Sequence, residues 1–344
     1  MTPTVSELPP SIVLGVAIAL GLVFGSFLNV VIHRLPRGES LVFPGSHCPG
    51  CGRPIRAYDN IPIVSWLWLR GRARCCGARI SARYPLVELM GGLLAWALVK
   101  VVVSELDSAT TWYAALGIFL LELAFGLGLV GVAFIDLEHM LVPDEITLGG
   151  TLLGLVTAPW RPEVFESPLG HWAAALVGLG GTESFRAWSE SLLGAAVGFV
   201  MVWLPFEVGY RALRGQPGMG RGDAKLAMLA GAWFGWAGAV FALLAGSVQG
   251  TLVALGIYAA KGRIDEPAAV VRQRAELRAA LGAATGDERV ALEEEMAKDP
   301  VAREPEGGLG KARVSFGPFL VLGALEYLFF GPALVAACFG WLSP

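Results

Sequence analysis

The sequence is poor in charge. Asp, Glu, Lys and Arg together make up 16% of its residues, against 55% apolar ones. A soluble domain needs more polar surface than this, so the composition excludes one and points to a chain living mostly in lipid. The first ten residues hold Glu7 but no Lys or Arg, so the basic start of a secretory signal is missing. Cysteine is scarce, and four of the five lie between Cys48 and Cys76. That clustering excludes a secreted disulfide framework and suits a metal site or a reduced loop. The four histidines, His33, His47, His139 and His171, have no nucleophile partner, which excludes Ser–His and Cys–His hydrolase chemistry. A strand-borne Gly-x-Gly-x-x-Gly is also absent, so there is no soluble nucleotide- or methyl-donor-binding domain built on that motif.

Long apolar runs and abundant glycine are present instead. They predict an all-α, polytopic membrane protein of about eight transmembrane helices, with glycine serving close helix packing. The expected spans cover residues 11–32, 85–103, 112–135, 146–158, 192–210, 226–236, 237–260 and 316–342. Basic residues set the orientation. Residues 34–84 carry Arg53, Arg56, Arg70, Arg72, Arg74, Arg79 and Arg83. This loop is therefore expected in the cytoplasm and the N-terminus outside, and only Lys100, Arg161 and Arg186 then fall near the outer face.

The expected organisation follows. Residues 1–33 form the first transmembrane helix, and 34–84 a cytoplasmic loop with the cysteines. Residues 85–260 form the membrane core, with a periplasmic insert at 159–189 whose Trp160, Trp172 and Trp188 suit an interface. Within that insert, 173–181 is too short to cross. Residues 261–313 form a cytoplasmic insert, read as two helices with Thr285-Gly286-Asp287-Glu288 as a capping box for the second, which stops at Asp299-Pro300. Residues 314–344 hold the last span. Nothing indicates a nucleic-acid partner.

Acidic residues beside hydrocarbon are the candidates for chemistry. Asp136 closes the third span. Asp223 opens the sixth, inside Gly218-Met219-Gly220-Arg221-Gly222-Asp223-Ala224-Lys225. Two carboxylates brought together in a poorly solvated site share a proton, so one serves as base and the other as acid. The alternative is two helix-terminal aspartates that never meet. Asp144 either joins the site or caps the fourth span after Pro143. Lys225 either biases the charge of the pair or snorkels to the surface. Glu88 and Glu122 are intramembrane acids with substrate or structural roles, and Asn29 reads as an inter-helix hydrogen bond. Cys48-Pro49-Gly50-Cys51 is one metal knuckle, and a tetrahedral zinc would need two more ligands.

Several stretches carry a family resemblance. They are residues 25–36 (Gly25-Ser26-Phe27-Leu28-Asn29 through Pro36), Cys48-Pro49-Gly50-Cys51, residues 80–89, Asp136-Leu137 through Pro143-Asp144, the Gly-rich stretch ending at Asp223-Ala224-Lys225, and Phe316-Gly317-Pro318-Phe319. In these the chain resembles type IV prepilin peptidases, the bifunctional leader peptidases and N-methyltransferases of the GxGD membrane aspartic proteases. The resemblance implies Asp136 and Asp223 as the catalytic pair, with Gly220, Gly222, Lys225, Asp144 and Glu88 as supporting or substrate-binding residues. It implies prepilin and pseudopilin substrates, S-adenosylmethionine as methyl donor, and a place in the bacterial inner membrane. It also implies a zinc held by two Cys-x-x-Cys pairs. Here Ala73 occupies the place of one expected cysteine, leaving Cys48, Cys51, Cys75 and Cys76 as ligands, or His47 in place of Cys75. A proton- or cation-coupled transporter using the Asp pair, or a zinc-organised assembly scaffold, are the competing readings.

Overall fold

In the computed structural model the described residues are 4, 7–107, 110–165, 182–214, 219–298 and 315–339. No strand occurs among them; only three isolated bridges do. The chain divides into two compact units, residues 1–131 and 132–344.

The first unit is built on α1 (Pro10–Arg34) and α3 (Arg83–Val101), joined by the cysteine loop with its short α2 (Val64–Trp68). Pro10 opens α1 where a missing N–H costs nothing. One face of α1 is small and buried (Ala17, Gly21, Gly25), while Val16 and Val23 point outward at 54% and 57% exposure. Large apolar groups outside and glycine inside is the pattern of a helix bathed in lipid, where packing depends on close backbone approach. A Cβ on Gly21 would fall 2.3 Å from the Gly91 carbonyl oxygen of α3. Asn29 donates to the Tyr84 carbonyl at 3.1 Å, the inter-helix bond expected of it. Buried Arg34 donates to the carbonyls of Ser40 at 2.9 Å and Pro44 at 2.7 Å, tying the start of the loop to the end of α1.

The boundary between the units falls inside α4 (Trp112–His139). The second unit continues with α5 (Asp144–Thr157), α6 (Glu183–Val202), a π-helical turn at Trp203–Gly209, α7 (Tyr210–Arg214), the long α8 (Arg221–Lys261), α9 (Ala268–Ala283), α10 (Asp287–Lys298) and α11 (Gly317–Phe339). Pro205 lies in the widened turn and has no N–H to close an ordinary one. The core of this unit is the seam between α6 and α8. A Cβ on Gly231 would meet the Gly194 carbonyl oxygen at 2.0 Å, and one on Gly198 would meet that of Ala227 at 2.2 Å.

Among the described residues five helices are long and apolar enough to cross a membrane: α1, α3, α4, α6 with its continuation to Leu213, and α8; Gly317–Gly331 of α11 adds a shorter apolar segment. The chain is thus an all-α polytopic membrane protein. The sixth and seventh expected spans meet in α8 at Gly235, beside the expected boundary, where a non-helical φ of 71° and ψ of −175° that suit glycine alone divide the element into two helical segments. Ser191 takes up the Ala232 carbonyl beside the kink at 2.6 Å, and Trp233 Nε1 donates to Gly150 at 2.8 Å.

Three stretches carry local detail beyond the sequence expectations. The insert expected at 159–189 becomes helical at Glu183, where Thr182 caps α6 by accepting from Phe185 N–H; residues 173–181 and Trp172 lie outside the described residues. Arg161, expected in a loop near the outer face, is buried, at 4% exposure. Its guanidinium stacks 4.4 Å from the Trp233 ring, because a cation over an indole face is held electrostatically. Thr285 does not form the expected capping box. The first bonds of α10 reach the Gly286 carbonyl, so Gly286, at φ 61°, is the cap; the expected stop at Asp299-Pro300 lies outside the described residues.

The α6–α8 seam generates a prediction. Gly231→Leu has no space at the Gly194 carbonyl, so it should lower the thermal midpoint in detergent by well over 5 °C or abolish folded yield, whereas Gly256→Leu, with nothing within 4 Å of its Cβ position, should leave both unchanged. Equal behaviour of the two variants in size-exclusion and thermal melts counts against the seam as the core of this unit.

Candidate functional site

Asp136 lies in the last turn of α4, and Asp223 in the first turn of α8. Both belong to the second unit. Asp136 is buried, at 6% exposure, and Asp223 is half-buried. Asp136 is near enough for its charge to act on Asp223. Past Asp136 the chain leaves the helix through Met140, in the left-handed region at φ 51°; its N–H still bonds the Asp136 carbonyl at 2.8 Å. Gly220 caps α8 with extended backbone, its carbonyl accepting from Asp223 N–H at 3.2 Å. Gly222 is needed for close approach, because a Cβ there would lie 2.7 Å from that of Val142.

The carboxylate of Asp136 is held on one side. Its Oδ2 accepts from the Ser315 hydroxyl at 2.5 Å and from the Gly317 N–H at 3.1 Å. Gly317 opens α11, whose first N–H groups have no partner within the helix. Sequence reasoning missed Ser315, although it adjoins the Phe316-Gly317-Pro318-Phe319 stretch already singled out; an isolated serine before a span carries no signal of its own. Glu207 was missed as well. It sits buried in the π-helical turn and accepts from Arg211 at 2.7 Å and Arg221 at 3.4 Å, tying that turn to the start of α8.

Asp144 neither caps α5 nor stands free. Pro143 occupies the cap position without a side-chain bond, and Asp144 is the first helical residue, where negative charge suits the helix dipole. Its Oδ1 receives Lys225 Nζ at 2.5 Å. The ammonium thus bridges α8 to α5. At the end of α4, Arg272 of α9 reaches the Glu138 carbonyl at 3.4 Å and the His139 ring at 3.4 Å.

In the first unit, buried Glu88 accepts from the Ile63 N–H at 2.7 Å and so ties α3 to the cysteine loop. Ile63 has φ 61°, a strained conformation that this bond helps to hold. Glu122 is buried on α4 in the same unit.

The four cysteines of the loop converge. Their sulfurs lie within 4.8 Å of one another, with Cys48 to Cys76 at 3.6 Å and Cys51 to Cys75 at 3.3 Å. The loop consists of two turns with the same hydrogen-bond pattern. Cys48 N–H bonds Arg53 and Gly52 N–H bonds Cys48; likewise Ala73 N–H bonds Ala78 and Gly77 N–H bonds Ala73. Gly52 and Gly77, at φ 70° and 72°, close the two turns. Ala73 is thus the counterpart of Cys48, and Cys76 of Cys51. Cys75 reaches the centre from the position that Gly50 holds in the first turn, where a Cβ would already point within 3.3 Å of Cys76 Sγ. His47 is not in the cluster; its Nδ1 bonds the Gly45 carbonyl. Backbone bonding from Gly50 pulls the Cys48 thiol down to about 7, while hydrogen bonding to Cys51 pushes Cys75 up to about 12. Four thiols competing for protons in one spot form a donor set that fits a thiophilic metal ion.

Residues 19–102 match the bacterial peptidase A24 N-terminal domain, and residues 123–255 the type IV leader peptidase family. A prepilin leader peptidase/N-methyltransferase of Myxococcus xanthus is 38% identical over 257 residues, covering 72% of this chain and 67% of that protein. Enzymes of the same name from Aeromonas hydrophila and Dickeya chrysanthemi are 36% and 35% identical, covering 69% and 72% of this chain and 78% and 83% of theirs. This chain belongs to the type IV leader peptidase family. No solved structure matches it. The first family match contains the cysteine loop and Glu88, and the second contains Asp136, Asp144, Asp223 and Lys225. Ser315 and Gly317 lie beyond both, so in this leader peptidase only the fold connects them to Asp136.

A prediction follows for the Asp144–Lys225 pair. Both side chains are partly solvated, and Asp144 is 54% exposed, so the ion pair should contribute no more than about 1 kcal/mol. A double-mutant cycle of Asp144→Asn and Lys225→Met, read by thermal or denaturant unfolding in detergent, should return a coupling in that range. A coupling of several kcal/mol would show the pair to be a main support of α8.

Proposed function

We propose that this protein is a membrane-embedded aspartic endopeptidase of the bacterial inner membrane. It removes the basic leader from type IV prepilins and pseudopilins at the cytoplasmic face and N-methylates the residue so exposed. The observation that supports the reading is the placement of Asp136 and Asp223 at the ends of two helices of one unit, near enough for one charge to act on the other, in a chain of the leader peptidase family. In this reading the N-terminus lies outside, and residues 34–84 and 261–313 lie in the cytoplasm, with the membrane core at 85–260 and the last span at 314–344. The substrate's apolar helix stays in the bilayer while its leader, held inside by its positive charge, presents the peptide bond at the membrane surface.

Two carboxylates sharing one proton supply both halves of peptide hydrolysis. The ionised one takes a proton from water as the oxygen attacks the scissile carbonyl. The protonated one donates to the carbonyl oxygen, and proton return to the leaving nitrogen completes the cut. Lys225, paired with Asp144, holds the start of α8 in place, and Gly220 and Gly222 let the backbone approach the site.

S-adenosylmethionine is the methyl donor that the family resemblance implies. The all-helical described residues offer no Rossmann-type turn for it, and no step is derived through it. Zinc is the metal proposed for Cys48, Cys51, Cys75 and Cys76. Zn–S bonds of about 2.3 Å in a tetrahedron set sulfurs about 3.8 Å apart, and the sulfur distances above bracket that value. Four thiolates would fill the coordination, so the metal would cross-link the two turns and supply no water for the cut.

Asp136→Asn and Asp223→Asn should each abolish cleavage of a co-expressed prepilin, read by intact mass, while both proteins still insert. Asp144→Asn should keep substantial activity. A dead Asp144→Asn beside an active Asp136→Asn would overturn the assignment, and normal processing by both catalytic variants would favour a transporter or scaffold.

For the loop, purified protein should hold about one zinc per chain by elemental analysis. Cys75→Ser should lose it and speed limited proteolysis between Arg53 and Arg74. Adding Ala73→Cys to that variant should restore both, because position 73 is the counterpart of Cys48. Full zinc in Cys75→Ser alone would reject that residue as a ligand.

A further inference from the structure

We propose that Ser315 is a positioning residue for catalysis. With the Gly317 N–H it pins Oδ2 of Asp136 and leaves Oδ1 to work on water and on the proton shared with Asp223. The inference rests on the reading of Asp136 and Asp223 as the catalytic pair.

The geometry is specific. Ser315 is buried at 8% exposure, and its Oγ lies 2.5 Å from Asp136 Oδ2 and 3.1 Å from the Asp136 carbonyl oxygen. A hydroxyl has one proton, and the nearer, charge-bearing acceptor takes it. The Gly317 N–H, at 3.1 Å, adds a second donor to the same oxygen. That donor is fixed by the start of α11 and has no competing partner within the helix. A Cβ on Gly317 would stand 2.6 Å from Oδ2, so the carboxylate is seated against bare backbone. No bond from any described residue is made to Oδ1.

The consequence is orientational. A carboxylate turns through a broad, two-fold torsion, and its oxygens are interchangeable until something distinguishes them. In a proton-sharing pair that freedom is costly, since the base must face water and its partner together. Catalytic groups misplaced by about 1 Å lose on the order of 100-fold in rate. Pinning one oxygen with two donors removes the freedom and assigns the other to the reaction. Asp223 is placed by its own helix, in the first turn of α8. Asp136, at the end of α4, draws its fixation from α11, which is distant in the chain.

The test uses the full-length protein in detergent or nanodiscs with a purified prepilin-like substrate, kcat and KM being measured separately. Ser315→Ala should lower kcat about 10- to 100-fold with KM within about two-fold of wild type. Ser315→Thr, which keeps the hydroxyl, should recover most of the rate. Ser315→Val, with the shape of threonine and no hydroxyl, should not. Gly317→Ala should lose at least as much as Ser315→Ala. Ser247→Ala, which removes a hydroxyl bonded at 2.7 Å to the Leu243 carbonyl on an exposed face, should match wild type. If Ser315→Ala fails to fold, the Thr–Val difference decides. Equal rates for Thr and Val, or wild-type kcat in a folded Ser315→Ala, overturn the proposal while an inactive Asp136→Asn keeps the catalytic pair intact. An active Asp136→Asn overturns the pair itself.

Discussion

Hydrocarbon cannot solvate a carboxylate, a carbonyl or an N–H group, so a chain that places such groups at membrane depth must satisfy them with its own atoms. Several buried polar groups meet that constraint with at least one bond each, while Asn29 Oδ1 keeps no hydrogen-bond partner. Asn29 finds the Tyr84 carbonyl, Glu88 finds the Ile63 N–H, Glu207 takes two arginines, and Asp136 takes a hydroxyl and a helix-terminal amide. Glycine makes such pairings reachable. With the Gly194 and Gly231 backbones in contact, α6 and α8 come close enough for Ser191 to hold the Ala232 carbonyl beside the Gly235 kink.

The two aspartates relate differently to the helices that bear them. Asp223 sits where a carboxylate is welcome, at the positive end of its own helix. Asp136 sits at the negative end of α4, the less favourable place, and the start of α11 compensates with the Gly317 N–H and the neighbouring Ser315 hydroxyl. An acid held where its own helix disfavours it, but supplied with donors from another, is pre-organised.

The cysteine loop solves a separate problem by repetition. Two turns with one hydrogen-bond pattern face each other, and each can point a thiol inward from more than one position. Ala73 therefore brings no thiol to the second turn, and Cys75 brings one without opening the cluster, because the last residues of the turn already face the centre.

Much of this was legible from local patterns. Apolar run length decides that a segment crosses lipid, and clustered arginine marks the loops, since both depend on transfer free energies that are nearly additive along the chain. Asp136, Asp223 and the four cysteines stood out because charge and thiols in those settings are costly or reactive wherever the chain goes. The tertiary structure decided what depends on distance. Ser315 lies 179 residues from Asp136 and has no local signature. Asp144 and Lys225 are each compatible with several roles until α5 and α8 bring them together. Arg161 reads only as a basic residue near the outer face until the fold sets it against Trp233. Pattern fixes which groups must be satisfied; only packing selects the partner, because hydrogen bonds and ion pairs act over a few ångströms of space and are indifferent to separation in sequence.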